Sequence, residues 1–216
     1  FPVRAGSLDH RATPLVQESI HPDQIQREDP RVLAGMDAFL YERGRSMVER
    51  AEGVSLARAM GLAVWPYVGS YDGWPRAVHN GLEFQQEIWT NVAFGGAPII
   101  SQPYVYVDNP DGRGAVARPF HALANHEDSF AGFENYPFLA VIYGYQDPPG
   151  HAQKGWWWSA DARSASLGAF SACLHRHIQV ASVLPSLLDD PEALSRYRVV
   201  YLADTPYLTE KQAANL

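Results

Sequence analysis

The sequence predicts an α/β protein in which strands and helices alternate along the chain, as in parallel βα units. Two continuous apolar runs, at residues 62–69 and 138–144, are typical of buried strands. Each run is followed by a polar loop and then by apolar residues at helical spacing. A composition break at 131–137, which holds Gly, Asn and Pro, lies between the two patterns. We therefore expect two domains, at 1–131 and 138–216.

The first third of the chain is predicted to be an arm followed by helices. Residues 1–27 show little periodicity and are expected to form a loop or arm. Asp29 and Pro30 fit a helix N-cap followed by proline at the first helical position. From there to Met60, apolar residues recur at mostly helical spacing. Because glycines interrupt this run, we expect two shorter helices; these glycines are Gly35, Gly44 and Gly53.

The other elements follow from the same signals. In the first half they are a strand at 62–69, a helix at 82–94, a short strand at 98–100, an extended segment at 104–107, a turn at 108–112 and a helix at 118–130. In the second half they are a strand at 138–144, a long polar loop, a helix at 164–177, a strand at 178–184, a helix at 190–197 and a strand at 199–203. Thr209 and Gln212 form a capping box that opens a final helix.

Composition excludes several classes of protein. The net charge is -7 and the basic residues are scattered, so the electrostatic footprint of a nucleic-acid binder is missing. No apolar stretch approaches the roughly 18 residues that span a bilayer, and we expect no membrane partner. We expect a soluble protein, either cytoplasmic or secreted. The start at Phe1, without Met or an apolar leader, indicates that the chain begins within a longer protein.

Cofactor and metal signatures are missing from the sequence. Cys173 is the single cysteine, which excludes a disulfide framework and a cysteine-built zinc site. His175 and His177 are two residues apart on a predicted helix and point apart, while His121 and His126 are five apart. No glycine-rich phosphate loop or serine-hydrolase elbow follows a predicted strand. We therefore expect no cofactor and no metal.

Two phrases in the last quarter of the chain point to a known family. SRYRVVYL at 195–202 and YLTEKQAANL at 207–216 lie within a segment, 164–216, that resembles the start of the beta-galactosidase trimerisation domain. That domain is a flavodoxin-like unit that follows the catalytic barrel of family 42 glycoside hydrolases and their uncharacterised relatives. Residues 61–130 are similar, more loosely, to the closing strands of that (β/α)8 barrel.

This resemblance implies the fold, the activity and the assembly. Residues 1–131 would be the C-terminal βα units of a TIM-like barrel, and 138–216 the first half of a flavodoxin-like parallel sheet. The parent protein would be a carbohydrate-active hydrolase that acts on glycosidic bonds of oligo- or polysaccharides, assembled as a homo-oligomer, a trimer in the family. The family's nucleophilic Glu belongs at the end of the strand at 62–69, where this chain has no carboxylate. A non-catalytic carbohydrate-binding or assembly module therefore stays open as an alternative.

Glycoside hydrolysis generally needs two facing carboxylates where barrel strands end. Asp72 follows the strand at 62–69 and is the best carboxylate candidate, although an Asx turn is the more ordinary role for it. Aromatic residues two apart near strand ends point the same way, towards either the barrel mouth or the core. The predicted substrate-binding residues are Trp65, Tyr67, Tyr71, Asp72, Trp74, Tyr104, Tyr106 and Asp108.

The remaining acidic and aromatic groups have more ordinary expected roles. Glu83 and Glu87 are four apart and are expected on a solvated outer helix face. Asp108 and Asp111 are expected in a turn. Three adjacent indoles are costly to leave in water, so Trp156, Trp157 and Trp158 are expected to pack on a neighbouring domain or subunit. A sugar-binding platform is the less favoured alternative.

Overall fold

A computed structural model provides the structure of the chain. It describes residues 16–17, 38–41, 46–68, 81–100, 110–130, 133–136, 138–143, 160–205 and 208–216. The strands are β1 Val16–Gln17, β2 Ala38–Tyr41, β3 Ala63–Val68, β4 Ile99–Ile100, β5 Leu139–Ile142, β6 Val180–Val183 and β7 Val199–Leu202. The helices are α1 Met47–Ala59, α2 Gly81–Ala93, α3 Pro110–Asn125, α4 Glu127–Phe130, α5 Ala160–His175, α6 Pro191–Ser195 and α7 Glu210–Asn215, with a 3-10 helix at Pro185–Asp189.

The first sheet is parallel, and its strands lie side by side in chain order, β1-β2-β3-β4. Helices α1 and α2 pack on one face of β3. Val64 belongs to an apolar cluster with Leu56 of α1, and Val68 belongs to one with Phe84 and Ile88 of α2. These contacts bury one side of the strand, which is the side that faces the helices.

The second sheet is also parallel, but its order is β6-β5-β7, with β5 in the centre. Apolar clusters lie on both of its faces. Val141 packs with Phe170 of α5, whereas Ile142, on the opposite side, packs with Leu188 and Leu194. The second sheet is thus covered on both faces, whereas α1 and α2 cover one face of β3 in the first sheet.

Helix α1 joins the two sheets. Its residues from Arg50 to Ala57 are all buried. Ser55 of α1 accepts a hydrogen bond at its Oγ from the backbone N–H of Ser182 at 2.9 Å. Because β6 is an edge strand of the described sheet, this bond satisfies an outward-facing N–H that would otherwise offer a pairing site. One helix therefore covers a face of the first sheet and an edge of the second.

Most of the predicted elements are confirmed. The strands predicted at 62–69, 98–100, 138–144, 178–184 and 199–203, and the helices predicted at 82–94, 164–177 and 190–197, differ from the observed ones only at their ends. Thr209 and Gln212 form both bonds of the predicted capping box. The α/β class is confirmed; the division into domains at 1–131 and 138–216 stays a prediction. The extended segment at 104–107 lies outside the described residues.

Three predictions for the first half were wrong. A strand, β2, lies where helix was predicted, because four apolar residues in a row fit a short buried strand as well as a helix. Helix α1 continues through Gly53, whose cost of about 1 kcal/mol in a helix is offset by packing on both sides. The predicted arm at 1–27 contains β1.

The third helix also starts earlier than predicted. The turn expected at 108–112 is helical from Pro110 onward, and the helix expected at 118–130 ends at Asn125 before the short α4. Proline at the first helical position loses no hydrogen bond and has a suitable φ, which makes Pro110 a start signal. None of the helices in the described ranges is long and apolar enough to cross a membrane.

Candidate functional site

The exposed side of β3 carries two of the predicted aromatic site residues. Along this strand, buried and half-buried residues alternate, because successive side chains point to opposite faces. Val64, Pro66 and Val68 are buried on the helix side. Trp65 and Tyr67 lie together on the opposite face and are half-buried. The predicted pairing of these two rings on one face is confirmed, and that face is not the one packed against α1 and α2.

A buried ion pair lies behind the carboxyl end of this strand. Arg50, in the first turn of α1, pairs through its Nη1 with Oε1 of Glu87 on α2. The side chains are only 5% and 3% exposed. The same Nη1 donates a hydrogen bond to the backbone oxygen of Tyr67 at 3.2 Å. The guanidinium thus ties both helices to the strand at the residue that carries one of the candidate rings.

The prediction that Glu83 and Glu87 share a solvated helix face was wrong for Glu87. Glu83 is exposed, but Glu87 is 2% exposed. On the helical wheel Glu87 lies next to the apolar positions Phe84 and Ile88, which face the core. This position beside apolar residues was the sequence signal that Glu87 is buried. No signal in the sequence indicated that its partner is Arg50, on another helix.

Burial also rules Glu87 out as a free catalytic group. The carboxylate of Glu87 is paired with the buried guanidinium of Arg50, which holds it in place and away from any ligand. Glu87 is linked to the strand end only through Arg50, which also donates to the backbone oxygen of Tyr67. One further charged side chain of α1, Glu52, is buried, and sequence reasoning missed both it and Arg50.

The other predicted site residues lie outside the described residues. They are Tyr71, Asp72, Trp74, Tyr104, Tyr106 and Asp108, together with Trp156, Trp157 and Trp158. Their roles stay predictions. The backbone of Asp111 is helical, since α3 includes it, so Asp111 does not lie in the expected turn.

Among the described residues, the histidines singled out in the sequence lie on the surface and the cysteine lies in the core. His121, His126, His175 and His177 are all exposed. In the portions of the chain that the structure describes, no three His, Cys, Asp or Glu side chains converge as a metal site requires. Cys173 lies within α5, as predicted, and burial raises the pKa of its thiol. At neutral pH it is therefore a small apolar core residue rather than a nucleophile.

Comparisons with known proteins give limited similarity. A comparison with protein-family models found no match, and a comparison with curated proteins found none. Among solved structures the chain is similar to a GH5_18 from Bifidobacterium longum subsp. infantis, at 14% identity and a TM-score of 0.48. The similarity covers 80% of this chain and 46% of that one, so the chain spans less than half of that structure. Similarity at this level assigns no family, and the resemblance to family 42 stays an expectation from the sequence.

Proposed function

We propose that the chain forms one wall of a carbohydrate-binding cleft in a glycoside hydrolase that acts on oligo- or polysaccharides. The supporting observation is the pair Trp65 and Tyr67, half-exposed on the face of β3 opposite the helices. Flat aromatic rings with a polar handle suit the apolar faces and hydroxyl groups of sugar rings.

The order of the first sheet supports a barrel origin for this wall. Parallel strands in chain order, with helices on one face, are the arrangement of a (β/α)8 barrel. In such a barrel the face away from the helices lines the interior, and active sites lie at the carboxyl ends of the strands. Asp72 follows the carboxyl end of β3 in the chain. We therefore assign Asp72 as the candidate carboxylate and Trp74 as a further sugar contact.

The order of the second sheet supports an assembly role for residues 138–216. Counted along the chain, its strands lie in the order second, first, third, which is how a flavodoxin-like sheet begins. This supports the proposal of a trimerisation-type domain. In it, the segment with Trp156 to Trp158 would contact the barrel or a neighbouring subunit.

A second candidate function is a binding module without hydrolytic activity. The strand Ala63–Val68 contains no carboxylate, although the resembled family has its nucleophile at that strand end. Glu87, the carboxylate behind that strand end, is engaged by Arg50. A module of this kind would bind sugars through Trp65 and Tyr67 without cleaving them.

Oligosaccharide binding by the full-length protein tests the site that both candidates share. We expect Trp65→Ala, Trp74→Ala and Asp72→Ala each to weaken binding about tenfold, the factor that corresponds to 1.4 kcal/mol. Trp89→Ala is the matched control, because Trp89 is a 37% exposed indole on α2 and packs near Phe130 at 6.5 Å between ring centroids. Unchanged affinity in all three site variants would remove the assignment, as would an equal loss in the control.

A further inference from the structure

A concave region lies near the amino end of β3. It is a cavity of about 600 Å³ between the end of α1, residues 133–136 and the segment that follows β6. Leu62 and Phe94 line it, and Leu62 directly precedes the amino end of β3. Tyr67 lies near the carboxyl end, five residues beyond Leu62 and so roughly 16 Å further along a strand that rises about 3.3 Å per residue. The cavity is therefore distinct from the aromatic face of β3.

Aromatic side chains surround this cavity. Phe133 and Tyr136, three residues apart on its rim, are 45% and 56% exposed. Tyr197 is half-buried deeper in the wall, where burial raises the pKa of its phenol despite the nearby charge of Arg196. The phenol is thus uncharged at neutral pH and can both donate and accept a hydrogen bond. A cavity that combines aromatic rings with polar groups suits a ligand with an apolar face and polar edges.

The charges at the cavity balance each other. Arg58 and Arg196 line it together with Glu134 and Asp190. Arg58 Nη1 donates to the backbone oxygen of Leu62 at 3.1 Å, and Asp190 caps α6 through two bonds of 3.0 Å. An equal number of positive and negative groups favours a neutral ligand over an anion or a cation.

The groups at the mouth remain accessible to a ligand. Arg196 Nη2 and Glu134 Oε2 are 3.7 Å apart, and their side chains are 64% and 77% exposed. Asn135 and Ser186 also line the cavity. Together these four side chains offer several donors and several acceptors without net charge. A hydroxyl group, which donates and accepts at once, can be bound by such a mixed set.

We propose that this cavity binds a neutral polyhydroxylated ligand, namely a sugar unit of an oligosaccharide. The ring of the sugar would lie against Tyr136 and Phe133, and its hydroxyl groups would bond to Glu134, Asn135 and Arg196. The site is a second carbohydrate subsite, and it functions whether or not the chain cleaves its ligand. It is separate from the cleft that contains Trp65, because neither Trp65 nor Tyr67 lines the cavity.

Titration calorimetry with cellotetraose, xylotetraose and galactotetraose tests this subsite in the full-length protein. We expect at least one of these sugars to bind at two sites per chain. Tyr136→Ala combined with Phe133→Ala should remove one site and leave the other. Trp65→Ala should remove the other site and leave the cavity. The control is Tyr201→Ala, because Tyr201 is 48% exposed on β7 and does not line the cavity.

The outcomes separate this subsite from the proposed cleft. Two sites that persist in the Tyr136 and Phe133 double variant would overturn the cavity proposal alone. A single binding site that is removed only by Trp65→Ala would also overturn the cavity proposal. A single site that only the double variant removes would support the cavity and contradict the cleft. Binding of inorganic phosphate in the cavity, with no binding of the three sugars, would show an anion site and overturn the proposal.

Discussion

At the scale of single residues, the buried pair of Arg50 and Glu87 has the largest expected effect on stability. Glu87→Leu leaves a guanidinium buried without its partner, which typically costs about 3–5 kcal/mol. We expect that loss in the free energy of unfolding, measured in urea. Arg50→Met combined with Glu87→Leu should recover part of it, because neither member of this pair is then left buried without the other. Glu83→Leu, at an exposed position four residues away, is the control.

A smaller effect is expected at the two serines that join α1 to β6. Ser55→Ala removes the acceptor of the buried Ser182 N–H and should lower the free energy of unfolding by about 1–3 kcal/mol. Ser182→Ala is the matched control, since the buried Oγ of Ser182 has no hydrogen-bond partner among the described residues. Its removal should be neutral or slightly stabilising. Equal losses in the two variants would contradict the direction of the bond.

The thiol of Cys173 makes stability depend on pH. Burial raises the pKa of this thiol above its ordinary value of 9.0, so the folded state holds the proton more tightly than the unfolded state. The resulting contribution is present below about pH 9 and is lost as the pH rises through the folded pKa. We expect the free energy of unfolding to fall more steeply above pH 9 in the natural protein than in Cys173→Ala. The same pH dependence of the free energy of unfolding in both proteins would refute this effect of Cys173.

At the scale of elements, two glycines with the same open surroundings should respond in opposite ways. A Cβ added at Gly168 in α5 or at Gly61 after α1 would meet no atom within 4 Å, apart from its chain neighbours and the backbone of its own helix. Gly61 has φ +80°, which disfavours any side chain, whereas Gly168 is helical. Gly168→Ala should stabilise by about 0.5–1 kcal/mol, and Gly61→Ala should destabilise. Thermal unfolding of both variants checks the contrast.

Elements with a strong period could be read from the sequence, and elements that depend on distant partners could not. The capping box at Thr209 and the apolar run at 138–144 contain their own signals. The strand β2 depends on pairing with β3, which no local pattern reveals. Burial of Glu87 depends on Arg50, and the continuation of α1 through Gly53 depends on the second sheet. In each of these cases tertiary packing outweighs a local preference.

The candidate site shows the same limit. Alternation along β3 was enough to place Trp65 and Tyr67 on one face, because the side-chain period of a strand is fixed. It could not decide whether that face was packed by helices, since this depends on where α1 and α2 lie. The cavity at the amino end of β3 could not be predicted either, because segments far apart in the sequence form it.

At the scale of the whole molecule, the three adjacent tryptophans should determine assembly. Trp and Tyr are enriched at protein interfaces, where a buried indole combines a large apolar area with a hydrogen-bond donor. We expect replacement of Trp156, Trp157 and Trp158 by Ser to lower the oligomeric state, or to loosen the domains, while both sheets stay folded. Light scattering measures the oligomeric state, and circular dichroism shows whether the two sheets stay folded. An unchanged oligomer, with the natural indoles open to a soluble quencher, would contradict the assignment.

Hydrolysis of chromogenic glycosides by the full-length protein tests the central proposal most directly. A panel of aryl glycosides and oligosaccharides would be assayed with the natural protein and with Asp72→Asn and Trp65→Ala. We predict release of the chromophore from at least one glycoside, with a large loss of rate in Asp72→Asn and weaker substrate binding in Trp65→Ala. Sugar binding without any turnover would leave the non-catalytic module as the function. If the protein showed no turnover and no sugar binding, a carbohydrate function would be contradicted altogether.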